Sequence, residues 1–231
     1  MTFLISLIFS IILGFIHFLN EKIFFNTRKT KEVAMSFVGG VSVAYIFLFL
    51  LPELYNGVDH LNSWIFFMVL IGFSLVHFAE KYFYQHSHGN ARLLRNKEVH
   101  FLVLFIYYFL VGVILSTIVD KNIIEGILFF IPLIFYASVG KVSFSEVHYH
   151  LREQNFFRWL LALSSVLGVF FAPLILSSLS LYHSLLAFII GSFLYISVVD
   201  FIPNKSKGNP FYFFVGEGFY AILIALIWMI R

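Results

Sequence analysis

Residues 99–119 read VHFLVLFIYYFLVGVILSTIV, twenty-one positions without a single acidic residue, lysine or arginine. A helix of that length rises about 30 Å, the thickness of a bilayer's hydrocarbon core. The stretch is also too long and too uniformly apolar to be one face of a helix on a soluble core. Working outward from it, similar runs recur near residues 2–19, 33–51, 64–83, 123–139, 156–176, 182–202 and 211–230. The expected fold is therefore an all-α membrane protein, a single polytopic domain of about eight transmembrane helices.

Composition supports that reading. The 231 residues are 61% hydrophobic and only 12% charged, so polar side chains are too few to cover a soluble globule. There are 32 Phe and 12 Tyr, residues suited to lipid-facing surfaces and to the aromatic belts at the membrane boundary. The absence of Cys removes disulfides, thiolate metal sites and Cys nucleophiles. The first run has no basic leader and continues into Asn20-Glu21-Lys22, so it is expected to be a retained span rather than a signal peptide.

The connecting segments alternate in charge. Those after the first, third, fifth and seventh runs hold 13 of the 15 Lys and Arg residues, among them Lys22, Arg28, Lys29, Lys31, Arg92, Arg95 and Lys97. The segments between them hold only Lys121. Basic loops stay on the cytoplasmic side, which places both termini outside a multi-pass protein of the plasma (cytoplasmic) membrane. The net charge of +3 follows from those loops and implies no nucleic-acid partner.

The second and seventh runs share a pattern. Phe37, Gly40 and Pro52 in one correspond to Phe188, Gly191 and Pro203 in the other, at a constant offset of 151. The two runs cross in opposite senses, so the match has the form of an inverted repeat, the construction common among secondary transporters.

With these features in place the chain resembles the ZIP family of divalent-metal transporters. The resemblance is carried by the stretch from Gly39-Gly40 to Pro52-Glu53, by a third run closing on Glu80-Lys81 before His86-Ser-His88-Gly89, and by Gly191-Ser-Phe-Leu-Tyr195 running to Asp200 and Pro203. It implies a three-two-three bundle and transmembrane transport of a divalent metal ion such as zinc. The family's metal ligands belong to the motifs His-Asn-x-x-Asp-Gly and His-Glu-x-Pro-His-Glu in its fourth and fifth spans. Aligned on Gly112 and Pro132, those ligand positions hold Tyr107, Tyr108 and Val111, then Phe129, Phe130, Leu133 and Ile134. Zinc binds imidazole, carboxylate or thiolate, and these seven side chains offer none of them at neutral pH.

The remaining intramembrane polar groups are the metal candidates, because ionisable side chains in lipid are costly. Glu53 lies at the outer mouth of the second run, Asp200 near the inner end of the seventh, and His77 and Glu80 three apart in the third. For each, an ordinary helix-end carboxylate or a neighbouring Lys is the competing reading. Glu217 in the eighth run needs a partner within the bundle that sequence does not name. On the cytoplasmic side, His86 and His88 form one candidate metal pair. Glu146, His150 and Glu153 fall on one stripe if that segment is helical, unless it is a salt-bridged surface helix.

Two functions follow. One is zinc transport through leftover polar groups. The other is a degenerate, non-transporting relative that binds or senses a partner or lipid, with Phe129 and Phe130 packing against Tyr107 in a dry centre. An intramembrane enzyme would need converging His and Asp residues; the nine His sit mostly at span ends, so no enzymatic role is expected. The partners admitted are the lipid bilayer, a divalent ion and a second copy of the chain.

Overall fold

In the computed structural model, residues 1–19, 28–86, 90–139, 155–175, 178–201 and 208–230 are described, and among them there is no strand. Eight long helices follow the eight apolar runs. They are α1 (Thr2–Leu19), α2 (Arg28–Tyr45), α3 (Trp64–His86), α4 (Asn90–Lys121), α5 (Ile123–Val139), α6 (Asn155–Ile175), α7 (Leu179–Ile196) and α8 (Pro210–Ile230). Helix is the conformation that satisfies every backbone N–H and C=O within one segment, as a lipid environment demands.

Five of these segments are long and apolar enough to cross a membrane: Glu32–Asn56, Trp64–Tyr82, Phe101–Lys121, Leu179–Val199 and Pro210–Met229. Thr2–Ile16, Ile123–Val139 and Trp159–Ile175 are apolar but shorter. Several helices outrun the expected spans. The run expected at 99–119 begins at Asn90, and the one expected at 33–51 continues to Asn56. Hydropathy locates the apolar part of a helix, whereas its backbone hydrogen bonding can continue into polar sequence.

The longest extension is α2. After Tyr45 the chain makes a π-helical turn, Ile46–Leu50, and then six further helical residues, Leu51–Asn56. Across this turn the Leu51 N–H bonds to the Ile46 carbonyl, five residues back. Pro52 supplies no N–H to the preceding turn, and a local π adjustment is one way to accommodate that loss. The same device closes α7, where Ser197–Phe201 is also π-helical. Each of its five residues lies 151 positions after its counterpart in Ile46–Leu50. Pro203 itself lies outside the described residues.

The glycines of the repeat perform equivalent tasks. Gly40 faces α8 so closely that a Cβ would fall on the Phe213 carbonyl, and a Cβ on Gly216 would fall on that of Phe37. In the other half a Cβ on Gly191 would fall on the Val69 carbonyl, and one on Gly72 on that of Phe188. Positions 37 and 40 thus use α8 as positions 188 and 191 use α3. A third reciprocal crossing joins α4 to α6 through Gly112 and Gly168. Small residues at such crossings let helices approach to backbone contact, which is how helices associate when lipid is as apolar as their side chains.

Contacts in register give the directions. Asn209 N–H to Ser36 Oγ at 2.8 Å, the Gly40/Gly216 crossing and the Tyr45–Tyr220 ring pair at 5.6 Å climb α2 and α8 together, so the two are parallel. Phe3–Phe170, Ser10–Ser165 and Phe18–Trp159 run oppositely along α1 and α6, which are antiparallel. Thr2 Oγ1 donates to Asp120 Oδ1 at 2.8 Å, setting the start of α1 beside the end of α4. A single residue, Asn122, connects α4 to α5, and its Oδ1 accepts the Ile124 N–H at 2.9 Å. That side-chain acceptor at the helix start satisfies a donor the helix leaves free.

The outer surface is apolar. On α8 alone Phe211, Phe214, Ile222, Leu226 and Trp228 point outward, more than half of each exposed. On a soluble protein this would be an aggregating face; toward lipid it is the expected covering.

A candidate site at the bundle centre

The seven positions matched to the family's ligands lie on α4 and α5 and turn inward. Tyr107, Tyr108, Val111, Phe129, Phe130 and Leu133 are buried, and Ile134 is half-buried. The expected packing of Phe129 and Phe130 on Tyr107 is replaced by other partners. Phe129 meets the edge of Tyr45 at 6.3 Å, and Phe130 stacks on Phe9 of α1 at 4.3 Å. Tyr107 instead contacts Tyr108 at 5.3 Å and Tyr136 at 6.4 Å. Successive residues of an α-helix point about 100° apart, which turns Phe129 and Phe130 toward different neighbours, so the two cannot both face one tyrosine.

Tyr45 is the hub of this centre. Its ring contacts Phe49, Phe129, Phe193 and Tyr220, the last two edge-on at 5.3 and 5.6 Å. Edge-on pairs of this kind add to the stability of buried aromatics. Tyr136 continues the cluster to Phe193 at 6.0 Å and shares a hydrogen bond with Tyr108. The centre is thus filled by rings from α2, α4, α5, α7 and α8. Among the described residues no group of three or more His, Asp or Glu side chains is placed to hold a metal ion.

Two polar clusters lie away from this centre, one toward each end of α7. In the first, Glu53 Oε2 accepts from Asn56 at 3.1 Å, and Oε1 accepts the Tyr182 hydroxyl at 3.4 Å. Lys121 sits over the Tyr182 ring, its Nζ 3.6 Å from the centroid, with Glu53 and Glu125 within electrostatic reach. An ammonium over a ring face is held by the ring's quadrupole. Glu53 is therefore tied into α7 and α4 rather than standing alone at a helix end.

In the second cluster, Tyr195 joins the two candidates on α3. Its hydroxyl donates to Glu80 Oε2 at 2.9 Å and lies 3.2 Å from His77 Nδ1. Glu80 is only 7% exposed, whereas His77 and Lys81 are exposed. The carboxylate has turned into the bundle, away from the neighbouring lysine.

The other candidates are less defined. Asp200 belongs to the π-helical turn and His86 ends α3, but their side chains are not among those described. His88, Glu146, His150 and Glu153 lie outside the described residues. Glu217 is half-buried at the Gly40 crossing, where its backbone N–H faces α2. Tyr182 and Tyr195, which hold the two carboxylates, carried no assigned role in the sequence reading. The available signal was a tyrosine near each end of the seventh span with a carboxylate at the matching level of a neighbouring span. Sequence does not give those levels.

No family model matches the chain, and no curated protein matches it.

Proposed function

We propose that this chain is an eight-span membrane protein of the ZIP-like three-two-three arrangement in which the family's divalent-metal route is closed. It acts as a non-transporting relative that binds a ligand or partner within the membrane. The observation that carries this reading is the centre itself. All seven positions aligned with the family's ligands hold side chains unsuited to zinc, and six of them are buried in an aromatic core. A divalent ion crossing there would shed its water without gaining donors, a cost no neutral ring repays.

The inverted repeat supports the relationship. Equivalent glycines make equivalent crossings, and equivalent π-helical turns interrupt α2 and α7. Those paired turns also favour a second reading, divalent-metal transport, because π turns gather at functional sites and broken helices serve alternating access. Glu53 at one end and Asp200 at the other would then be the polar stations that remain.

Zinc and cadmium uptake into proteoliposomes decides between them. The closed-centre reading expects flux no higher than in empty liposomes, and equal flux in a Glu53→Ala/Asp200→Ala variant. Uptake by the native protein that the double variant loses would establish transport and overturn the proposal.

A further inference from the structure

A groove of about 640 Å³ lies between the start of α2, the last turns of α5 and the start of α8. That size is within the range of about 300–1,000 Å³ typical of ligand pockets. Its walls are apolar. Val33, Phe37 and Val38 form the α2 side, and Phe135 and Val139 the α5 side. The Phe37 and Phe135 rings meet edge-on at 5.4 Å, so the two walls touch at that depth. Polar groups stand mainly at the helix ends, Lys29 on α2 and Tyr212 on α8. Ser138, on α5, directs its proton to its own helix, to the Ile134 carbonyl at 2.8 Å.

The groove crosses the level at which the apolar segments begin. The membrane-length segment of α2 starts at Glu32 and that of α8 at Pro210. Lys29 is exposed and precedes the first by three residues, about one helical turn, whereas Phe37 lies five residues inside it. From Lys29 to Val38 the helix rises about 14 Å, from a charged end to an apolar one. Among the described lining residues none is acidic. Each of the three helix ends also joins basic sequence. Arg28 and Lys31 flank Lys29, Lys141 follows Val139 by two residues, and Lys207 precedes Pro210 by three. Lys and Arg at the membrane boundary attract anionic head groups.

We propose that this groove binds one anionic phospholipid of the bilayer, its head group at Lys29 and Tyr212 and one acyl chain between α2 and α5. The proposal rests on the reading of the chain as a protein that binds a ligand within the membrane, and it names the class of that ligand. A bilayer lays a lipid chain against every outward apolar groove, so the chain alone selects nothing. Selection comes from the head. The Lys29 ammonium offers three donors and the Tyr212 hydroxyl one, and phosphate oxygens accept from both. A zwitterionic head brings its own cation to a site that already holds one. A second copy docked through the same face would set two basic mouths together.

The test is photo-crosslinking of the full-length protein in proteoliposomes, with a phosphatidylglycerol that carries a diazirine on one acyl chain. Labels should fall on the peptides holding Val33–Val38 and Phe135–Val139. Unlabelled phosphatidylglycerol should compete about five-fold better than phosphatidylcholine, the worth of one cation near an anionic surface. Lys29→Gln should bring the two competitors level, and Lys29→Arg should keep the preference. Val33→Trp, which fills the groove, should remove its labels and leave those on the outer face of α8. Equal competition in the native protein, or a preference unchanged in Lys29→Gln, overturns the proposal. So do labels confined to other faces, or chain-to-chain crosslinks through the groove, which would assign it to a second copy. Lys29 is exposed, so its two variants carry the test if Val33→Trp does not fold. Zinc uptake in the same vesicles separates the two readings. Background flux without lipid preference overturns the lipid site alone, whereas flux above that of empty liposomes overturns the closed-centre reading beneath it.

Discussion

The Tyr220 hydroxyl donates to the Leu128 carbonyl at 2.9 Å, and Leu128 lies four residues before Pro132. That is the carbonyl whose helical partner proline removes. Residue 132 can therefore be proline inside a continuous helix, because α8 restores the missing donor to α5. Tyr220→Phe should cost about 1 kcal/mol in thermal or denaturant unfolding in detergent. In a Pro132→Ala background, where the N–H returns, the same change should cost close to nothing. Equal costs in both backgrounds would show that the bond is incidental.

Gly40 and Gly218 make a matched pair for testing helix approach. A Cβ on Gly40 would meet the α8 backbone, whereas one on Gly218 meets nothing within 4 Å. Gly40→Ala should destabilise by about 1–3 kcal/mol, as the backbones must part. Gly218→Ala should be neutral or stabilising by up to about 1 kcal/mol, through helix propensity. Melting of the two single variants reads both.

Truncation in the centre should leave a hole that lipid cannot reach. Phe129 has no exposed surface. Phe129→Ala is expected to cost about 3 kcal/mol, and Phe129→Leu markedly less, measured by denaturant unfolding in mixed micelles. A cost below 1 kcal/mol would mean that the rings do not form a close-packed core.

At the opposite end of α7 from Glu80, Lys121, Tyr182 and Glu53 act as a unit. A double-mutant cycle on Lys121→Met and Tyr182→Leu should return a coupling of about 0.5–1 kcal/mol, the range of a partly exposed cation–ring contact. Additive effects would remove the contact from consideration.

Because the chain has no native Cys, its orientation can be read from single introduced thiols. Asp59→Cys, in the exposed turn after α2, should react with an impermeant reagent added outside intact cells. Lys29→Cys, at the exposed start of α2, should react only after permeabilisation. The reverse pattern would invert the topology drawn from the basic loops.

The eight helices were legible in the sequence because a lipid environment allows few alternatives to apolar helix, and the apolar runs of α1 and α5 matched their observed limits residue for residue. Gly40 and Gly191 were legible as repeat markers. Their partners Gly216 and Gly72 were not, since nothing in a linear chain says which helix lies opposite. The same limit hid Tyr195 between His77 and Glu80, and Tyr220 beneath Pro132. Helical period places residues on a face; only the packing of neighbours gives that face a counterpart.

A π-helical turn accommodates an extra residue in an otherwise α-helical register. Were Ile46–Leu50 to regularise into α-helix with its residue count unchanged, Pro52 and Glu53 would swing about 100° around the axis, away from Tyr182. The aim of that carboxylate thus depends on the wide turn, which takes up one of the twelve steps from Gly40 to Pro52. The interval from Gly191 to Pro203 has the same length. Both halves of the chain should tolerate many exchanges of one apolar side chain for another in these intervals, as long as the wide turn is kept.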